Sequence, residues 1–286
     1  MVCKLLYVPS LGVLLMLCSC TPSEYGSVDG VLCPPCPDVF SGFETCAFYE
    51  VDDVWAREGM LVDHSQYAGI GTPIRLSGLM HHKFCFNDTH VVFGSANPTV
   101  FGLLVSDNLI VKVHSPTLAQ NFASEYAYLL GDDTGEHTRQ FFFNDQPVEH
   151  VFCPRHGCED MLLSYIRAAE KEIVFLTFAF TSRPVGEALI AAHQRGVRVR
   201  GVFDNLGAGS QFSQFHPLTK AGLEVYRVRP ERGVMHHKVF LVDDIVIIGS
   251  FNPSQNANTR NAETLVALQD EMLASLVHSE FFRLTR

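Results

Sequence analysis

Between Met235 and Pro253 the chain places His236, Lys238, Asp243, Gly249, Ser250 and Asn252 around two short apolar runs, residues 239–242 and 245–248. The runs flank Asp243 and Asp244, the pattern of a β-hairpin with an acidic turn. Side chains alternate faces along a strand, so His236 and Lys238 point to one side and His237 to the other. Symmetric pairing about the two aspartates sets position 236 opposite 251 and position 238 opposite 249. Gly249, Ser250 and Asn252 then return beside the imidazole and the ammonium. A titratable nitrogen, a fixed positive charge, a hydroxyl and an amide share one patch, and those groups suit a phosphate. Imidazole is a nucleophile when neutral and an acid when protonated, and both forms are accessible near neutral pH.

The same residues occur earlier at an offset of 155. His81, Lys83, Asp88, Gly94, Ser95 and Asn97 fall on His236, Lys238, Asp243, Gly249, Ser250 and Asn252 without a gap, while the apolar residues between them drift. Such a repeat implies two copies of one structural unit. A pair of ordinary hairpins with surface histidines would not explain why polar residues recur at every matching position. One His-x-Lys arises often by chance, but His-x-Lys-x4-Asp-x6-Gly-Ser-x-Asn twice in register resembles the phospholipase D superfamily of phosphodiesterases. Within it, residues 182–204 resemble the compact bacterial nuclease and mitochondrial cardiolipin hydrolase branch more than the large plant-type lipases.

A phosphodiester can be cleaved without a metal when one residue attacks phosphorus, another protonates the leaving oxygen and fixed positive charge holds the equatorial oxygens. Two hairpins facing each other across a pseudo-twofold axis would set His81 and His236 on opposite sides of one phosphate. The resemblance implies a phosphohistidine intermediate on the first-half histidine, making His81 the nucleophile and His236 the general acid and base. The residues alone leave the reverse open. Lys83, Lys238, Asn97 and Asn252 are the expected phosphate ligands, with Ser95 and Ser250 either assisting them or closing the hairpin turns. Asp88 and Asp243, at the turns, read as structural. Thirteen residues beyond Ser250 lies Glu263, with Asn108 at the matching place in the first half. A carboxylate there either orients an imidazole, as the third member of a triad does, or is a surface group at a strand end. His82 and His237 point away from the patch and read as packed or hydrogen-bonded histidines behind it. Zinc-type His/Cys spacing is missing around both hairpins, so neither a metal nor another cofactor is expected.

Three functions fit: a membrane-tethered phospholipase D releasing phosphatidic acid, an endonuclease or other nucleic-acid phosphodiesterase, and a non-enzymatic envelope protein that keeps the fold. A net charge of −10 gives no global attraction to nucleic acid and disfavours tight adsorption to an anionic membrane. No obligate protein partner is evident. The N-terminus carries Lys4 and then an apolar run, residues 5–17, too short to span a membrane comfortably. This reads as a secretory signal. Residues 17–20, Leu-Cys-Ser-Cys, resemble a bacterial lipobox with Cys20 as the lipidated residue, which implies a membrane-anchored lipoprotein of the cell envelope; a plain cleaved signal and an uncleaved anchor are the alternatives. Six further cysteines, Cys33, Cys36, Cys46, Cys85, Cys153 and Cys158, allow disulfides in an oxidising compartment, with connectivity not readable from sequence.

The elements that must position these groups follow from periodicity. Residues 1–20 form the signal segment and residues 21–40, rich in Pro, Gly, Ser and Cys, read as a tether. A first, reduced repeat occupies 41–130, a polar linker 131–145 and a second repeat 146–286. In the first, Asp52 and Asp53 suggest a brief helix, and a longer one spans 117–130. In the second, helices are expected over 160–171, 185–194, 213–221 and 270–284, alternating with strands. The resulting fold class is α/β, a layered α-β-α sandwich with a mixed, largely parallel sheet and the site between two repeats. Aligning Cys46 with Phe178 leaves a crossover helix and part of a strand missing from the first half, and no helix matching 160–171 precedes Phe43. Arg195, Arg198, Arg200, Arg227, Arg229 and Arg232 form either a polyanion groove or solvent-facing sheet ends.

Overall fold

Each hairpin is the centre of its own sheet. The computed structural model describes residues 23–36 and 39–286, together with the backbone of two short paired strands, Leu6–Val8 and Val13–Leu15. Lys4 and residues 17–20, on which export and lipidation at Cys20 rest, lie outside the described residues. In the first sheet the order is Val28–Cys33, Asn108–His114, His90–Gly94, Lys83–Phe86, Thr45–Phe48, Met60–Asp63 and Thr72–Ile74. The second repeats it as Gln146–Cys153, Glu263–Gln269, Ile245–Gly249, Lys238–Val242, Glu172–Thr177, Arg198–Asp204 and Glu224–Val228, with Gln140–Phe143 added at the edge. The hairpin registers are as the symmetric pairing requires, Val239 facing Ile248 and Phe84 facing Phe93.

The sheets are mixed, but not largely parallel. Only the last three strands of each run parallel, and the hairpin and its neighbours pair antiparallel. The reason is connection length: a parallel neighbour needs a crossover, whereas the acidic turn at Asp243–Asp244 lets the chain double straight back. The near-continuous apolar run Glu172–Thr177 reflects burial on both faces, since Val174 and Leu176 face the core between the sheets while Ile173 and Phe175 face an outer core. Helices Pro116–Leu129 and Glu271–Thr285 supply Phe122 and Phe281 to the shared core, and Cys158–Ala168 and Arg183–Gln194 cover the outer face of the second sheet. Ser182 caps the latter helix by accepting from Val185 N, and Gly196, at φ +95°, ends it.

Several segments differ from expectation. Residues 28–33, within the stretch read as a tether, form an edge strand paired with Asn108–Val113, because Val28 and Leu32 pack on the shared core. Glu24 is also docked, its carboxylate accepting from Ser115 Oγ and Thr117 N. The linker ends early: Gln140–Phe143 already belongs to the second sheet. Asp52 and Asp53 start a turn rather than a helix, Trp55 N and Ala56 N both donating to Asp52 O. The strand registers put Phe48 opposite Lys83 and Thr177 opposite Lys238, so Tyr49, not Cys46, is the counterpart of Phe178.

The missing crossover helix has an energetic consequence. The outer core of the first repeat contains 14 buried residues against 28 in the second, and a small core supports little stability alone. Two disulfides, Cys33–Cys36 and Cys46–Cys85, lie within that smaller cluster, and Cys153–Cys158 closes the second repeat. All six cysteines of the described residues are therefore paired.

Candidate active site

The histidines enter the site from loops that are tied to the opposite repeat. His81 N donates to Ala262 O at 3.0 Å and His236 N to Asp107 O at 2.8 Å. Asp63 and Asp204, each closing a parallel strand, accept from Met80 N and Met235 N at 2.7 and 2.9 Å. Each hairpin thus starts at a point held by its own sheet and by its partner's.

The orienting groups also cross over. His81 Nδ1 donates to Glu263 Oε2 at 2.8 Å, and Ser250 Oγ donates to the same oxygen at 2.6 Å. His236 Nδ1 donates to Asn108 Oδ1 at 3.1 Å, which also accepts from Ser95 Oγ at 2.8 Å. Glu263 and Asn108 are fully buried, so neither is a surface group. Ser95 and Ser250 are not aimed at a phosphate: each hydroxyl accepts from a backbone N–H, Leu109 or Thr264, and donates to the orienting side chain. The backbone comes this close to the next strand because the preceding residues are Gly94 and Gly249, where a Cβ would meet Leu109 O and Thr264 O.

The two imidazoles are not equivalent. His81 keeps Nε2 without a protein partner among the described residues, whereas Lys238 Nζ donates to His236 Nε2 at 2.9 Å. Asn108 Nδ2 donates to Gly102 O at 2.9 Å, which fixes the amide so that its oxygen faces His236. Burial first, then the charges of Lys83 and Lys238, hold His81 well below the usual imidazole range. Burial, Lys238, Lys83 and then His81 do the same to His236. His81 and Ser250, from opposite repeats, share Glu263 Oε2, and His236 and Ser95 share Asn108 Oδ1, which brings the two motifs together.

Lys83 and Lys238 are each 2% exposed, and among the described residues neither ammonium forms an ion pair. Burial pushes Lys83 down to about 7 against the pull of Glu263, Glu50 and Asp63. Lys238 is lowered well below the lysine range by burial and by Lys83. Burial pushes the Glu263 carboxyl up to about 7, opposed by Lys83, Ser250 and Asn261. Asn97 and Asn252 stand at the ends of the two hairpins, each with a buried amide oxygen that has no hydrogen-bond partner among the described residues. Buried positive charge without a counter-ion is costly, and an anion entering the cleft relieves it.

Behind the site, His82 Nε2 pairs with Glu125 at 2.9 Å and His237 Nε2 with Glu280 at 2.8 Å, all buried. Glu125 and Glu280 are themselves 155 apart, a signal the motif reading overlooked because they lie on helices. Tyr49 and Phe178 were also missed. Their rings lie 5.2 and 4.9 Å from His81 and His236, and each is 5.5 Å from its own repeat's lysine nitrogen.

Asp243 accepts from the N–H groups of Glu170, Lys171 and Glu172 at the far end of the sheet, while Asp88 is exposed at its turn. The arginines do not form one groove. Arg195 donates to carbonyls at the end of helix Cys158–Ala168, Arg200 pairs with Glu172, and Arg227 binds Asn205. Among the described residues no three His, Cys, Asp or Glu side chains converge to hold a metal, and no helix is long and apolar enough to cross a membrane.

Comparison with known proteins agrees with this geometry. Residues 162–285 match the family described as cardiolipin synthase, PLD-like domain. The chain is 30% identical over 161 residues to the phospholipase D of Rickettsia conorii, covering 56% of this chain and 80% of that protein. It is 32% identical over 142 residues to the mitochondrial cardiolipin hydrolase of Xenopus tropicalis, 48% of this chain and 67% of the relative. The fold matches the phosphatidylserine synthase of Haemophilus influenzae with a TM-score of 0.64 at 13% identity, over 86% of this chain and 82% of the other. With its two histidine–lysine hairpins sharing a cleft and this likeness over most of the Rickettsia relative, the chain belongs to the phospholipase D superfamily of phosphodiester hydrolases.

Proposed function

We propose that the protein is a metal-independent phospholipase D that hydrolyses phospholipid through a phosphohistidine on His81. The observation that carries this is the unequal setting of the two imidazoles around two uncompensated lysines. His81 has an open Nε2 and a carboxylate at Nδ1, so it attacks phosphorus and its cationic phosphoimidazole is stabilised by Glu263. His236 faces a neutral amide, which stabilises its cation less and makes it the better acid. Phosphate draws Lys238 off His236 Nε2 onto its own oxygens, and that nitrogen becomes free to carry a proton. As the N–P bond forms, the P–O bond to the head group breaks and His236 protonates the departing oxygen. Neutral His236 then takes a proton from water, the water oxygen bonds to phosphorus, the N–P bond breaks and His81 is restored.

The preference for phospholipid draws support from the names of the Rickettsia and Xenopus relatives, and the net charge of −10 gives no global attraction to the competing substrate, nucleic acid. The resemblance of residues 182–204 to the nuclease branch supports nucleic acid as the second reading. Export and lipidation at Cys20 belong to the same proposal, and the three disulfides suit an oxidising compartment.

The test is to incubate the protein with phospholipid vesicles and with single- and double-stranded oligonucleotides in EDTA. Phosphatidic acid is the expected product, and His81→Asn and His236→Asn should each abolish it. With bis(4-nitrophenyl) phosphate, whose leaving group needs no proton, His236→Asn should accumulate a phosphoryl adduct on His81. Cleavage of oligonucleotides alone would transfer the proposal to nucleic acid, and a requirement for a divalent metal would overturn the mechanism.

A further inference from the structure

The rim of the cleft breaks the symmetry that the interior keeps. Immediately after Asn97, Thr99 caps the short helix Val100–Leu104 by accepting from Gly102 N at 2.8 Å. After Asn252, Ser254 caps the helix Gln255–Thr259 by accepting from Ala257 N at 3.3 Å. The two helices are 155 apart throughout, yet Val100, Phe101 and Leu104 stand where the second repeat has Gln255, Asn256 and Thr259. All six are exposed. The fold accepts polar side chains at these places, so packing does not require the apolar ones. Phe101 is 53% exposed, and such a cluster beside a functional cleft marks an interaction surface.

Two more exposed apolar side chains follow a strand that leads to the site. Leu206 and Phe212, 64% and 67% exposed, follow the strand Arg198–Asp204 at the end where Asp204 holds Met235. Residues 229–234 connect the two regions: just before them Arg227 Nε donates to Asn205 Oδ1 at 2.8 Å, next to Leu206, and at their end Val234 O accepts from Asp107 N at 3.0 Å, just beyond helix Val100–Leu104. This segment carries exposed Arg229 and Arg232, with Glu231 between them. Apolar tips flanking cations match a phospholipid surface, where acyl chains take the tips and head-group phosphates take the guanidinium groups.

We infer that helix Val100–Leu104, Leu206 and Phe212 form a membrane-docking lip that seats the cleft on a phospholipid bilayer and lets one head group reach the paired histidines. This rests on the phospholipid reading of the site. The lip is distinct from the catalytic groups: its side chains are exposed at the surface, whereas both lysines are buried and the His81 side chain is 12% exposed. It raises the local concentration of substrate rather than the rate of its cleavage.

The test compares the full chain with the triple variant Phe101→Ser/Leu104→Ser/Phe212→Ser. A control variant, Leu130→Ser/Met272→Ser, removes exposed apolar side chains away from the rim. Each is assayed on vesicles of phosphatidylcholine and phosphatidylglycerol, on bis(4-nitrophenyl) phosphate and on a single-stranded oligonucleotide. Every protein carries the same N-terminal segment, so differences in vesicle association isolate the lip. The triple variant should bind vesicles and hydrolyse their lipid at least about tenfold less well, with turnover of the soluble ester unchanged within about twofold and the control like wild type. Equal vesicle turnover by wild type and triple variant overturns the lip while leaving the phospholipase reading intact. A wild-type protein that cleaves the soluble ester and the oligonucleotide but no vesicle lipid overturns both, whereas a triple variant whose loss is confined to the oligonucleotide overturns the lip alone.

Discussion

Replacing Glu263 by Gln separates charge from geometry at the nucleophile. Ser250 Oγ accepts from Thr264 N and so donates to Oε2 of Glu263, the oxygen that also receives His81 Nδ1. Two donors on one atom force the glutamine to keep its oxygen there, and His81 retains the tautomer with an open Nε2. Its amide nitrogen is left facing Asn261 Nδ2, a contact of 3.3 Å in the native site. What disappears is the negative charge under the imidazolium formed at the transition state. A charge-assisted hydrogen bond exceeds a neutral one by about 1–2 kcal/mol, so kcat on bis(4-nitrophenyl) phosphate should fall about 5- to 30-fold. A wrong tautomer would cost about 10⁴-fold. Relative stability should move the other way as pH rises. Burial raises the folded Glu263 carboxyl from 4.5 to about 7, so its contribution is complete below about 4.5 and is lost as pH rises through about 7. The glutamine variant escapes that loss, so its stability relative to wild type should rise by on the order of 1–3 kcal/mol between pH 4.5 and pH 8, on top of a pH-independent cost for the two donors that face each other. Differential scanning calorimetry at the two pH values and steady-state kinetics decide it. A loss of activity below threefold, or no rise in relative stability from pH 4.5 to pH 8, refutes the reasoning.

The repeated motif aspartates should behave differently: Asp243→Ala strands three backbone N–H groups and should cost about 2–3 kcal/mol in urea unfolding, while Asp88→Ala stays within about 0.5 kcal/mol. Removing the Cys46–Cys85 bridge, which closes a loop with a sequence separation of 39, by Cys46→Ala/Cys85→Ala should cost about 2–4 kcal/mol, read as a lower urea midpoint under non-reducing conditions. Although burial raises Glu280, hydrogen bonds from Arg283 and His237 outweigh it and bring the carboxyl down to about 2. That depressed value stabilises the fold above about 4.5 and the benefit is lost as pH falls toward 2, so Glu280→Gln should flatten the acid limb of the stability profile by on the order of 3 kcal/mol.

Hairpin register, the split of His81 and Lys83 from His82, and the pairing of 238 with 249 were all legible because alternation along a strand is a local property, set by backbone geometry alone. The repeat of polar residues at a single offset exposed the second copy for the same reason. Local patterns also recovered the helix ends, where Ser182 and Gly196 satisfy or terminate a run of backbone groups. The alignment of Cys46 with Phe178 failed because the first repeat has no crossover helix, and only sheet pairing shows that Phe48 and Thr177 occupy the same place.

What the chain's order could not reveal is ownership. Glu263 and Asn108 stand at matching positions of their own repeats, yet each orients the histidine of the other, 182 and 128 residues away. That exchange follows from packing two sheets on one shared core, which brings the start of strand Glu263–Gln269 against the loop before Lys83. The sequence by itself determined which polar residues repeat and how each hairpin presents them. The tertiary structure decided which imidazole lies over a carboxylate and which over an amide, because that depends on contacts between segments that no local periodicity links.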